Sequence, residues 1–235
     1  MIRVEDLNYA IPAAEGAKPV LRGLGFEVPR GRLAALLGPS GCGKSTLLRI
    51  LAGRQRADSG RVDVEGPAFT IHQESSLFPW LDVHENLHFG SLSGLDPALV
   101  ARLLRVAGLE GFESHFPHEL SGGMRRKAEL LRAILSQSPT LLLDEPLASL
   151  DALSRHRLRR EFKMLLREFP RTVVLVTHDI EDALDWADVI FIASHRPMRI
   201  LQVIERNANG GLGLDREGLL RVLESSENSN LQEKR

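Results

Sequence analysis

The chain has 235 residues, 43% hydrophobic and 26% charged, which excludes collagen-like, mucin-like and wholly disordered polypeptides. Its 30 Lys and Arg against 31 Asp and Glu leave a net charge of −1, without the excess positive charge expected of a nucleic-acid-binding domain. One cysteine, Cys42, excludes an intrachain disulfide framework and a cysteine-rich zinc site.

The opening Met1-Ile2-Arg3-Val4-Glu5-Asp6 has no apolar run behind a basic patch, so it does not read as a signal peptide. No stretch reaches the roughly 18 apolar residues needed to span a bilayer, and a soluble, cytoplasmic chain is expected. Ile2–Tyr9 and Gly60–Gln73 hold short β-like pieces broken by Gly and Pro, predicting an antiparallel patch beside a main sheet. Leu33–Leu37 reads as a buried strand ended by Gly38-Pro39, and Ser45–Gly53 as a helix stopped by Gly53. Residues 77–135 are mostly helical by pattern, with breaks at Pro97, Gly108, Gly111 and Pro117, as for an insertion between two core strands. Thr140–Asp144 and Thr172–Thr177 follow as strands, Asp179–Trp186 as a helix and Val189–Ala193 as another strand. Apolar strands alternating with helices predict an α/β fold around a mostly parallel sheet covered on both faces. One domain is expected over residues 1–223. The last stretch, 224–235, has Leu231 as its single strong apolar residue and reads as a flexible tail.

Between the first core strand and its helix stands Gly38-Pro39-Ser40-Gly41-Cys42-Gly43-Lys44-Ser45-Thr46, which fits the phosphate-loop pattern G-x-x-x-x-G-K-[ST] in its required strand–helix setting. Glycines let consecutive backbone N–H groups turn inward around a phosphate, and the helix that follows offers the positive end of its dipole. Lys44 brings a cation to the β- and γ-phosphates, and the Ser45 hydroxyl is suited to Mg²⁺. This constellation predicts a nucleoside triphosphate but not the reaction.

Two further strand ends narrow the chemistry. Leu141-Leu142-Leu143 runs into Asp144-Glu145, and in a parallel sheet the strand C-termini face the ligand crevice. Asp144 is placed to hold Mg²⁺, through water, and Glu145 to orient or deprotonate an attacking water. His178, just beyond Val173–Thr177, can hydrogen-bond a γ-phosphate and that water. Gln73, after Ala68–His72, can offer its amide oxygen to the metal or the water.

Leu120-Ser121-Gly122-Gly123-Met124, downstream of the phosphate loop, resembles the signature motif of the ATP-binding-cassette family. The resemblance covers most of the chain, from Tyr9 to about Arg199. It implies that Tyr9, ahead of the insertion-like Pro12–Pro19 stretch, stacks on adenine, that Gln73 is the Q-loop glutamine, that Leu147–Asp151 is the D-loop and that His178 is the switch histidine. Leu77-Phe78-Pro79-Trp80-Leu81-Asp82-Val83-His84-Glu85-Asn86 is similar to the run that follows the Q-loop in nitrate, sulfonate and taurine importers. Two departures stand in the signature helix: relatives usually carry Gln where this chain has Arg126, and Ala where it has Leu131.

The resemblance implies an ATPase subunit that binds ATP and Mg²⁺ and pairs head-to-tail with a second copy, so that Ser121, Gly122 and Gly123 of one copy cover the ATP of the other. It further implies a transmembrane permease as partner, a solute-binding protein acting through that permease, no nucleic acid, and a place against the inner face of the plasma membrane. The rival is a non-transport cassette ATPase acting on nucleic acid or ribosomes. Such repair proteins insert long coiled coils between phosphate loop and signature, and no sustained heptads occur here.

Three other features have two readings each. The arginines of the helix after Asp151 (Arg155, Arg157, Arg159, Arg160, Arg167) form either a nucleic-acid face or a solvated one, and Leu158, Phe162, Leu165 and Leu166 as a buried stripe favour the second. Cys42 is a redox switch or a small tolerated side chain. Trp80 belongs either to the core or to a partner surface.

Overall fold

In the computed structural model, which describes residues 1–14, 16–89, 94–148, 150–207, 213 and 216–223, the chain builds two sheets. Strands β1 (Ile2–Ile11), β2 (Lys18–Val28) and β4 (Ser59–Val64) form the smaller one, antiparallel in the order β2-β1-β4. The larger has six strands in the order β5-β6-β7-β3-β8-β9: β5 (Ala68–Ile71), β6 (Thr140–Asp144), β7 (Thr172–Thr177), β3 (Leu33–Leu37), β8 (Val189–Ala193) and β9 (Ile200–Glu205). Its first five strands are parallel, and β9 runs antiparallel along β8.

Alternation along the strands splits the core in two. Leu33, Ala35 and Leu37 of β3 face the helices, with Leu141, Leu143, Val173 and Leu175, while Ala34, Leu36, Leu142, Val174 and Val176 face the antiparallel sheet. Both faces of the sheet are therefore closed, and β3, β7 and β8 are buried along their whole length.

α1 (Lys44–Leu51) follows β3. The connection from β5 to β6 is the helical insertion: α2 (Val83–His88), α3 (Pro97–Val106), a 3₁₀ turn at Pro117–Glu119 and α4 (Gly122–Leu135). α5 (Ala152–Glu168) leads to β7, and α6 (Ile180–Trp186) leads to β8. α2 to α6 are each N-capped by an acceptor side chain, from Asp82, Asp96, Ser121, Asp151 and Asp179 in turn. Among the described residues no helix is long and apolar enough to cross a membrane.

The structure corrects the sequence reading at three elements. β5, expected in the antiparallel patch, pairs in parallel with β6 and edges the main sheet. β2 begins inside the stretch read as an insertion, and its pairing with β1 shifts register between Val4 and Ala10. β9 was not expected, because as an edge strand it leaves four of its six residues exposed. The expected tail, 224–235, lies outside the described residues.

Candidate active site

The loop after β3 is shaped by contacts that leave little choice of residue. Gly43 has φ 127°, and a Cβ there would sit 2.9 Å from Val20 Cγ1, so a side chain is excluded by conformation and by space. Gly43 also stands at the N-cap of α1 without a side-chain acceptor, which leaves the first N–H groups of α1 to a ligand. Lys44 is buried, and its Nζ donates to the carbonyls of Gly38 (2.7 Å) and Pro39 (2.8 Å), holding the ammonium within the loop.

Ser40, Gly41, Gly43, Lys44, Ser45 and Thr46 line a cavity of about 400 Å³. Gly38 is packed into the sheet, where a Cβ would sit 2.9 Å from that of Ala193, and Pro39 contributes its carbonyl. Cys42 turns the other way, its Sγ 3.7 Å from Met198 Sδ, and is 1% exposed. Burial pushes its thiol above the ordinary range, against the pull of the Lys44 charge. A thiol so held is a poor nucleophile, which favours the packing role over the redox switch.

The same cavity is walled by Gln73, Asp144 and Glu145. Burial raises the Asp144 pKa, while a hydrogen bond from the Ser45 side chain opposes the rise. Ser45, Asp144 and Gln73 thus present hard oxygen donors beside a lysine-bearing phosphate loop, a set that fits Mg²⁺. Among the described residues no group of three or more His, Cys, Asp or Glu could hold a metal ion.

Glu145 departs from the strand with φ 47°, an uncommon value for a residue with a side chain, and its N–H donates to the Val176 carbonyl at 2.9 Å. This turn aims the carboxylate away from Asp144 and toward β7. His178 Nδ1 lies 3.1 Å from Glu145 Oε1, with the imidazole mostly exposed. The structure therefore brings Gln73, Asp144, Glu145 and His178, drawn from β5, β6 and β7, around one loop.

At its other end the cavity is bounded by Ile11, Val20 and Arg196. Tyr9, expected at the base, is half-buried on β1 opposite Leu21 and packs into the core under the antiparallel sheet. Ile11, two residues on and 41% exposed, is the residue of β1 that lines the cavity.

The signature lies elsewhere. Ser121 and Gly123 line a separate cavity of about 210 Å³ with Leu150, Leu153 and Arg157. Ser121 is exposed, and its hydroxyl accepts from the Met124 N–H at 3.2 Å, capping α4. Gly122 beside it is exposed as well. Asp151 caps α5 next to this cavity, accepting from Leu153 and Ser154 N–H, and its pKa is lowered first by the Ser154 hydroxyl and then by these backbone bonds. Ser149 of the D-loop lies outside the described residues.

Two sequence readings are settled. Trp80 is 69% exposed, its ring 5.4 Å from that of Phe78, which in turn lies 4.3 Å from the exposed Phe89, so it belongs to the surface. The arginines of α5 are not one solvated face: Arg159 is buried against Asp182, and Arg155 is half-buried at 2.5 Å from Asp179. Sequence reasoning noted Arg126 as a departure but gave it no task, and it missed Glu129 altogether; both are buried on α4 against the Gln73 segment. A larger cavity of about 580 Å³, lined by Arg32, Lys163 and Arg171, opens at the N-terminal strand ends and holds none of the motif residues.

Residues 21–148 match the family model described as ABC transporter. The aliphatic sulfonates import ATP-binding protein SsuB 1 of Pseudomonas savastanoi pv. phaseolicola is 40% identical over 202 residues, 86% of this chain and 83% of that one. The taurine import ATP-binding protein TauB of Pelagibacter ubique is 36% identical over 210 residues, 83% of this chain and 79% of its own. Among solved structures, an ATP-binding subunit of an ABC transporter superposes with TM-score 0.77 at 26% identity, over 95% of this chain and 99% of the other. The dimeric bacterial cassette MJ0796 has the same fold, with TM-score 0.76 at 24% identity, over 88% and 100%.

Proposed function

This chain belongs to the ABC transporter family, and from that premise we propose that it is the ATP-hydrolysing subunit of an importer for small sulfonate-type anions. The observation that carries the reading is the division of the ATP machinery into two cavities, the phosphate loop in one and Ser121 in the other. Two copies packed head-to-tail bring the partner subunit's Ser121 over each phosphate loop, giving an isologous pair with nucleotide at its centre.

Lys44 and the N–H groups opening α1 bind the β- and γ-phosphates. Ser45 and Asp144, with Gln73 beside them, would hold a magnesium ion, which would supply positive charge against those phosphates. Glu145 accepts a proton from the water that attacks the γ-phosphate, and His178, with Nδ1 3.1 Å from the Glu145 carboxylate, keeps that carboxylate and the water aligned. The P–O bond breaks to ADP and inorganic phosphate, and loss of phosphate removes the glue of the pair. Ile11, Val20 and Arg196 border the far end of the cavity, where the base would lie against aliphatic and guanidinium groups. The exposed Trp80 and Phe89, flanking the half-buried Phe78, support docking to a membrane permease, placing the pair on the inner face of the membrane with a solute-binding protein across it. The sulfonate class follows the curated relatives.

Phosphate release per chain should rise with protein concentration and level off as the pair saturates. A rate per chain that ignores dilution would refute the divided site. Transport of taurine and alkanesulfonates by vesicles carrying the co-purified permease tests the cargo, and failure of every sulfonate there would overturn that assignment.

A further inference from the structure

Three charged residues at successive turns of α4 face the segment that carries Gln73. Arg126, Glu129 and Arg132 are 4%, 1% and 5% exposed. Arg126 donates from Nη1 to the His72 carbonyl (3.0 Å) and from Nη2 to the Gln73 carbonyl (2.9 Å). Glu129 Oε1 accepts from the Ser75 hydroxyl and the Ser76 N–H, each at 2.7 Å, while its Oε2 pairs with Arg126 Nη1 at 2.5 Å. Arg132 donates to the Ser76 carbonyl at 2.6 Å, with its guanidinium over the Phe78 ring.

The carbonyls of residues 72 and 73 belong to the two peptide planes that flank the Gln73 Cα. One planar guanidinium holding both planes fixes φ and ψ of Gln73, and with them the direction in which its side chain leaves the backbone. Glu129 compensates the buried charge of Arg126 and ties down the next two residues.

We propose that Arg126 and Glu129 are positioning residues that aim Gln73 at the metal–nucleotide complex. This rests on the reading of Gln73 as a ligand to that complex. The effect is on metal affinity, through Gln73, rather than on fold.

The test uses the full chain in a Glu145→Gln background, loaded with ATP, with Mn²⁺ affinity read from the EPR signal of the free ion. Gln73→Ala should weaken Mn²⁺ binding by about tenfold, within the range seen on altering groups around a metal site. Arg126→Lys keeps the charge opposite Glu129 but cannot hold two peptide planes, and should weaken it by about threefold or more. The double variant should bind no worse than Gln73→Ala alone, because Arg126 acts through Gln73. Faster hydrogen exchange at the Ser76 amide in Arg126→Lys, without nucleotide, should accompany the loss. Ser75→Ala, at an exposed residue, removes one bond of the same clasp and should show the same non-additivity if Arg126→Lys fails to fold. Wild-type affinity in the clasp variants, or fully additive losses, overturns the proposal while leaving Gln73 in its role. Unchanged affinity in Gln73→Ala itself overturns both.

Discussion

Two tryptophans with opposite surroundings permit an internally controlled test of the docking surface. Trp80 is 69% exposed and Trp186 is 5% exposed, the latter donating from Nε1 to the Arg159 carbonyl at 3.0 Å and packing on Phe162. A tryptophan has an area of about 250 Å², so the buried third of Trp80 is about 80 Å² and stabilises by about 2 kcal/mol at most. Truncating Trp186 should cost about 3–5 kcal/mol, as for other buried aromatics. In urea titrations Trp80→Ala should therefore lose no more than about half of what Trp186→Ala loses. If Trp80 anchors the permease, its loss should cost about 2 kcal/mol of binding, or about 30-fold in affinity, with the ATPase rate of the isolated subunit unchanged within about twofold. Pull-down titrations against detergent-solubilised permease measure the first, and phosphate release the second. A Trp80→Ala protein as unstable as Trp186→Ala, or one that binds permease like wild type, would refute the reasoning.

Glu145→Gln should lower turnover by about 10²–10⁴-fold and leave an ATP-bound dimer that persists on gel filtration, because the amide keeps the shape and loses the base; near-normal phosphate release removes Glu145 from the role. Ser121→Arg should bind labelled ATP like wild type yet fail to form that dimer, and an intact dimer would count against a site shared between copies. Arg159→Met should destabilise by about 3–5 kcal/mol because Asp182 stays buried without its partner. Adding Asp182→Asn should restore part of that stability in urea melts, and a double variant weaker than the single would contradict the pairing.

The placement of the candidate site residues was legible where it is local. A phosphate loop is one continuous segment, and Asp144, Glu145 and His178 stand at the ends of strands whose unbroken apolar runs mark their limits: β3, β6, β7 and β8 have the predicted bounds. Sheet membership was less legible, since a four-residue strand such as β5 carries no record of its partner, and β9 pairs with the sheet while leaving most of its side chains in water. Buried charge was not legible at all. Arg159 looks like its neighbours on α5 until Asp182 arrives from α6, and Arg126 needs carbonyls 53 and 54 residues away. Tyr9 shows a related limit: the irregular pairing of β1 and β2, which packs it against the core and puts Ile11 at the cavity, is not written in the sequence around it.

The separation of Ser121 from the phosphate loop has a genetic consequence. A Ser121→Arg chain keeps a sound loop and base but lends its partner a dead signature, whereas a Glu145→Gln chain does the reverse. On the shared-site reading neither chain works alone, since the first fails to pair with itself and the second lacks its base, yet a mixed pair would join the loop of the first to the signature of the second, one complete centre beside one obstructed. Two null alleles expressed together would thus complement, restoring at most roughly a quarter of wild-type hydrolysis, the share set by unhindered random pairing at equal dose.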